Sequence, residues 1–306
     1  MIRPHPVRPG ARIALVAPAS GCPRSGFDRG VAELARLGFE AVYSEAVFAR
    51  DLFSAGDPDV RVADFLRAWQ DPSVAALVAV RGGYGSVHLL PRLSAGDLRR
   101  TPKLFIGYSD TTSLLSWLTL TCQIPALHGP MLDGRLAAGP AGYDERTFLG
   151  LLRGDVGVRL APPEVQVLHA GTAAGPLVGG TLSQLAASLG TPYAFVPPPG
   201  AILFLEDVNE RPYRLDRMLT QLRLAGVLSR AAGLVFGEMR GCDEPGGGVT
   251  AREAVERAVR EFDGPVLYGL PSGHTTGPCW TLPFGVRVRL AAGDDPALIA
   301  EEAAVG

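Results

Sequence analysis

The chain has 306 residues, 47% hydrophobic and 20% charged, which at roughly 150 residues per domain gives about two domains and excludes gross disorder. A net charge of −2 excludes a global positive field for nucleic acid. No apolar run approaches the ~20 residues of a membrane span, and 38 Gly and 26 Pro scattered without period signal many turns.

In chain order, Arg3 and Arg8 precede an apolar run at 13–17. A signal peptide could look like this, but the run is short and Pro18 breaks it, so a first buried strand is expected. A helix over 27–37 stops at Gly38, and a short strand follows at 41–43. Asp57 caps a helix to residue 70, with Pro58 at its first position. The continuous apolar run 75–80 leads straight into Arg81-Gly82-Gly83-Tyr84-Gly85. Another strand, 104–107, leads into Tyr108-Ser109-Asp110 and a helix to about residue 120. Such alternation of helices with continuous apolar strands predicts a parallel sheet covered on both faces.

Residues 134–174 have weak periodicity and read as a connection with one short helix near 144–152. Beyond it come a Gly179-Gly180 turn, a helix 182–189, a strand 201–205 and a helix 215–225 closed by Gly226. A strand 233–236, a helix 250–262, a strand 265–268 and a β-rich end complete the chain. The fold class is therefore α/β. It comprises an N-terminal parallel-sheet (flavodoxin- or Rossmann-like) domain, 1–133, and a C-terminal α/β, β-rich domain, 175–306.

Cys22, Cys122, Cys242 and Cys279 form no C-x-x-C pair, which argues against a zinc ribbon or redox dithiol and points to a reduced, cytoplasmic setting. Lys103 is the only lysine, which leaves little room for lysine chemistry. A P-loop is absent, and the G-G-x-G spacing after a middle strand is not a dinucleotide fingerprint.

The stretch around Ser109 carries most chemistry. An apolar strand, a glycine, a serine two residues on and then a helix make the geometry of a nucleophile elbow, although Thr111 stands where G-x-S-x-G has its second glycine. Backbone N–H groups at the helix start would lie where an oxyanion forms. Capping of the helix by Ser109 or Asp110 is the plainer alternative. The glycine loop at 82–85 lies at another strand end, where open α/β sheets form their ligand crevice, and paired glycines let the backbone approach a substrate. Arg81 could hold a substrate carboxylate or a structural ion pair.

A serine needs a base. Of His5, His88, His128, His169 and His274, the last sits in a glycine-containing loop just after a strand, and His128 could line a pocket. His88 reads as a capping or solvent-facing residue. The strand 201–205 ends in Glu206-Asp207, where a carboxylate needs an imidazole or arginine partner; Arg211 and Arg214 are the structural alternatives.

Taken together, Arg81-Gly82-Gly83-Tyr84-Gly85, Gly107-Tyr108-Ser109-Asp110, His128-Gly129-Pro130, Gly179-Gly180, Glu206-Asp207 with Arg211-Pro212-Tyr213, and Gly273-His274 resemble the LD-carboxypeptidase family of serine peptidases. This family comprises the muramoyl-tetrapeptide carboxypeptidases and the related microcin C self-immunity peptidases. The resemblance implies a Ser109, Glu206, His274 triad split over two domains. It implies an oxyanion hole from the N–H groups of Asp110 and Gly83, and substrate contacts from Arg81, Gly82 and Tyr84. It further implies a peptide substrate, a homodimer, and no metal or organic cofactor. Hydrolysis of a murein tetrapeptide is the leading expectation. A peptidase for a peptidyl-nucleotide antibiotic and a non-catalytic peptide-binding protein are the alternatives.

Overall fold

The computed structural model describes all residues from Met1 to Gly306. The first half runs β1 (Arg12–Val16), α1 (Arg24–Arg36), β2 (Glu40–Val42), α2 (Pro58–Gln70), β3 (Val74–Ala79), α3 (Ala95–Arg100), β4 (Leu104–Gly107), α4 (Thr112–Ser116) and β5 (Ala126–His128). Then come α5 (Glu145–Arg153), β6 (Arg159–Leu160), β7 (Gln166–His169), β8 (Gly171–Thr181), α6 (Leu182–Ser188), β9 (Ala201–Glu206) and α7 (Pro212–Leu224). The rest is β10 (Ala231–Gly237), α8 (Ala251–Val259), β11 (Val266–Leu270), β12 (Leu282–Phe284), β13 (Arg287–Ala292) and β14 (Ala297–Ala300).

Local chemistry explains the elements that matter for the site. The Asp57 side chain accepts from Asp59 N, and Pro58 opens α2. On the inner face of α2, Phe65 and Trp69 stack at 5.5 Å, as residues four apart on a helix should. Burying each such ring contributes about 1.5–3 kcal/mol. The run expected to form the first strand is β1, buried from Ile13 to Val16.

The first sheet has the order β12-β5-β4-β3-β1-β2. Strands β1 to β5 are parallel, and β12, from the far end of the chain, pairs antiparallel with β5. The order 2-1-3-4-5 is the flavodoxin-like winding, whose ligand crevice lies at the carboxyl ends of the strands. The second sheet has the order β6-β14-β13-β8-β9-β10-β11-β7, with β8 to β11 parallel and antiparallel strands on both sides. The stretch expected as a connection thus supplies two strands, β6 and β7, as well as α5. One buried cluster runs through both sheets, from Leu77, Phe105 and Leu114 to Phe204, Leu267 and Leu290. At the join, His128 packs 5.1 Å from the Phe204 ring and 5.2 Å from Phe284. No helix is long and apolar enough to cross a membrane.

One expectation is corrected and one is refined. Gly179-Gly180 is not a turn; both glycines lie inside β8, because β9 and α4 crowd the strand there. The helix expected after Ser109 to about residue 120 is present, but its hydrogen-bond pattern changes along it. It is a 3-10 turn at Ser109–Thr111, then α4, then a π-type turn at Trp117–Thr121. Thr119 Oγ1 donates back to Leu115 O at 2.8 Å, a bond that competes with regular helix.

Candidate active site

Strand β4 delivers Ser109 to the crevice in a strained conformation. Its φ is 64°, a left-handed value that costs a non-glycine residue roughly 1–3 kcal/mol. Such strain is what a tight strand-to-helix turn demands of the residue at its apex.

Asp110 ties that turn to the glycine loop. Its carboxylate accepts from Gly85 N at 3.2 Å and Ser86 N at 2.8 Å, while Ser86 Oγ donates to Asp110 O at 2.6 Å. Gly82 lies directly against the serine. A Cβ there would sit 2.9 Å from Ser109 Oγ and 3.5 Å from Asp110 N, so only glycine leaves the space open. The N–H groups of Gly82 and Gly83 donate to no group of the protein. From the other side, Ser20 N donates to Gly82 O and Tyr84 N to Ser20 Oγ, both at 3.1 Å.

Beneath the loop is a residue the sequence did not reveal. Arg61 is buried without a carboxylate partner and donates to Pro18 O and Gly85 O, each at 2.7 Å, and to Gly56 O at 3.0 Å. Its remaining nitrogen faces His88 Nδ1 at 3.3 Å. His88 is therefore neither a helix cap nor merely solvent-facing. It supports Tyr84, whose ring stands edge-on to it at 5.3 Å and to Phe53 at 5.2 Å. Tyr84 is half-exposed on the rim. Arg81 also stands at the rim, 3.7 Å from Asp133.

Glu206 and His274 come from the second sheet. Glu206 is fully buried at the end of β9. Its Oε2 accepts from His274 Nδ1 at 2.8 Å and from His274 N at 3.0 Å, and its Oε1 accepts from Thr181 Oγ1. Burial works to raise the Glu206 carboxyl, but the hydrogen bonds and charge of His274, with help from Thr181, outweigh it and hold Glu206 below the usual carboxylate range. Arg211 pairs with Glu244 and Arg214 with Glu210, so neither takes Glu206 or Asp207. The His274 ring stands edge-on to Tyr108, the neighbour of Ser109, at 5.1 Å. Ser109 follows a strand of the first sheet and His274 a strand of the second, and no hydrogen bond joins the two side chains.

The loop bearing His274 is pinned from three directions. Arg135 donates to Gly273 O at 2.9 Å, Thr275 O at 2.7 Å and Gly277 O at 3.0 Å. Glu238 accepts from Thr276 N at 2.8 Å and from Thr275 Oγ1. Below, His128 Nδ1 lies 2.9 Å from Ser272 Oγ, and that hydroxyl donates its one proton to Trp280 O at 2.7 Å. His128 must therefore carry its proton on Nδ1. Its Nε2 is buried without a partner.

Burial pushes His128 down from an ordinary 6.5 to about 4, against the pull of Glu206. As pH falls from about 6.5 to about 4, unfolded chains take up a proton that the folded protein refuses, so stability falls by about 3 kcal/mol. Burial raises Asp207 from 3.8 to about 6, and that acts in the opposite sense over the same window. The readout is therefore a difference. In denaturant titrations between about pH 4 and 7, His128→Asn should lose a destabilisation on acidification that the wild type retains. Parallel curves would contradict the neutral His128.

No group of three or more His, Cys, Asp or Glu side chains converges where it could hold a metal ion. The fold and the matching family domains make the chain an α/β peptidase. It belongs to the LD-carboxypeptidase family: the N-terminal domain of that family matches residues 13–129 and the C-terminal domain residues 174–290. It is similar to the murein tetrapeptide carboxypeptidase of Pseudomonas aeruginosa, 34% identical over 86% of this chain and 88% of the relative. It is also similar to the microcin C7 self-immunity protein of Escherichia coli, 27% identical over 90% and 88%. Among solved structures, the muramoyltetrapeptide carboxypeptidase of Oxalobacter formigenes superposes with a TM-score of 0.83 at 28% identity, covering 96% of this chain and all of that one.

Proposed function

We propose that the protein is a serine carboxypeptidase that hydrolyses the L,D-peptide bond of a cytoplasmic murein tetrapeptide and releases its terminal D-Ala. The observation that carries this reading is the buried Glu206 carboxylate accepting both the ring and the backbone N–H of His274, whose ring packs on Tyr108 beside a strained Ser109.

In this mechanism Ser109, from an N-terminal domain of residues 1–133, attacks the carbonyl of the L-centre of diaminopimelate. His274 Nε2, from a C-terminal domain of residues 175–306, takes the Ser109 proton and later gives it to the departing amine of D-Ala. Glu206 holds the imidazole with Nδ1 protonated and stabilises the imidazolium. The oxyanion meets the N–H of Asp110 and that of Gly83, whose loop offers amides without a protein acceptor. Water then attacks the acyl-enzyme by the same route in reverse. Arg81 and Tyr84 contact the substrate from the rim, and Gly82 leaves room for its reacting carbonyl.

The test is incubation with free L-Ala-γ-D-Glu-meso-diaminopimelate-D-Ala. Release of D-Ala is expected; its absence, with turnover of a peptidyl-nucleotide instead, would move the protein to the immunity-peptidase branch. Gly82→Ala should lower kcat/KM by at least about 100-fold while the protein stays folded, because the added carbon collides with the Ser109 side chain and displaces its hydroxyl. Near-normal turnover of that variant would show that the reaction does not depend on the Ser109 position that Gly82 permits.

A further inference from the structure

The Gly179-Gly180-Thr181 end of β8 has no task in the reaction as described. Gly180 has φ 132°, and a Cβ there would fall 2.6 Å from Thr112 Oγ1; one on Gly179 would fall 1.9 Å from Phe204 O. Two absent side chains thus let β8 slide between β9 and the helix that follows Ser109. At that contact the Thr181 N–H donates to Thr112 Oγ1 at 3.1 Å. The Thr181 hydroxyl then donates to Oε1 of Glu206.

This division of labour is asymmetric. Oε2 of Glu206 serves His274 twice, while Oε1 has Thr181 as its one partner. Glu206 has no solvent to fall back on, so without that hydroxyl a buried, charged oxygen would go unpaired. We propose that Thr181 is a positioning residue: its N–H grips the nucleophile's helix and its hydroxyl grips the acid, which locks Ser109 and Glu206 into register across the two sheets. The inference rests on the triad proposed above.

The other ionisable groups around the pair make no contact with Oε1. His128 is held neutral by burial. Asp207 is engaged by Ser183 N and Val208 N. Tyr108 and Cys279 are pushed up by burial, to about 12 and about 11. Arg135 is engaged by the loop carbonyls.

Thr181→Val keeps shape and volume and removes only the hydroxyl; Thr181→Ser keeps the hydroxyl. In Thr181→Val, kcat should fall about 10- to 100-fold with KM within about twofold, and Thr181→Ser should recover to within about threefold of wild type. A second readout needs no substrate. The Thr181 hydroxyl favours the ionised carboxylate, so the carboxyl carbon signal of Glu206 should titrate at higher pH in Thr181→Val than in wild type and Thr181→Ser. Unchanged kcat and an unchanged Glu206 titration in Thr181→Val would overturn the inference, as would a Thr181→Ser variant as impaired as Thr181→Val. If the wild type released no D-Ala, the proposed reaction would fall, while the titration would still decide the role of Thr181.

Discussion

Ser109→Ala is expected to abolish D-Ala release, with a loss on the order of 10⁵- to 10⁶-fold in kcat, the scale on which a triad loses its nucleophile. No neighbouring group can substitute. Thr111 Oγ1 donates to Tyr108 O, Thr112 Oγ1 accepts from Thr181 N, and Ser20 Oγ donates to Phe53 O. Cys22 and Cys279 are buried, with thiols raised to about 11, so neither offers a thiolate near neutrality. The variant should fold as well as wild type, because alanine tolerates φ 64° no better and no worse than serine. Ser109→Gly gives a sharper contrast. It should be equally inactive yet more stable by about 1 kcal/mol, since glycine relieves the left-handed strain. D-Ala release by a folded Ser109→Ala protein would remove the serine from the mechanism.

What could be read from the sequence was what is local to a strand end. Ser109, Glu206 and His274 each follow an apolar run within a few residues, at the carboxyl end of a parallel strand, where ligand crevices of open α/β sheets form; the strands belong to two sheets. The groups that hold them there left no comparable trace. Arg61, Arg135 and Glu238 act through backbone carbonyls, amides or hydroxyls of segments distant in sequence, and an arginine or glutamate bound that way looks like any surface charge in the sequence. Gly179-Gly180 was legible as two glycines but not as a close approach, because the collision they avoid is with Thr112 and Phe204. Strand β12 was equally invisible as a member of the first sheet, since its partner β5 lies more than half the chain away. That pairing, with the core running through both sheets, ties the second half of the chain to the sheet that bears Ser109.

Glu206→Gln should cost about 10⁴-fold in kcat with the fold retained, because it inverts a hydrogen-bond pattern while keeping the volume. The Glu206 oxygens are distributed so that one faces two donors, the ring Nδ1–H and backbone N–H of His274, and the other faces the Thr181 hydroxyl. A glutamine has one acceptor to offer. If its oxygen stays with His274, its amide N–H meets Thr181, whose hydroxyl can turn and accept, but the negative charge that stabilises the imidazolium is gone. If the amide nitrogen faces His274, it meets two donors, and the ring must shift its proton to Nε2, where it can no longer take one from Ser109. Both arrangements disable the base, one electrostatically and one by tautomer. Glu206→Asp, which keeps the charge but shortens the reach, should lose less than Glu206→Gln. Equal losses would mean that geometry alone matters at this position, and a Glu206→Gln enzyme of near-normal rate would detach the carboxylate from the proposed mechanism.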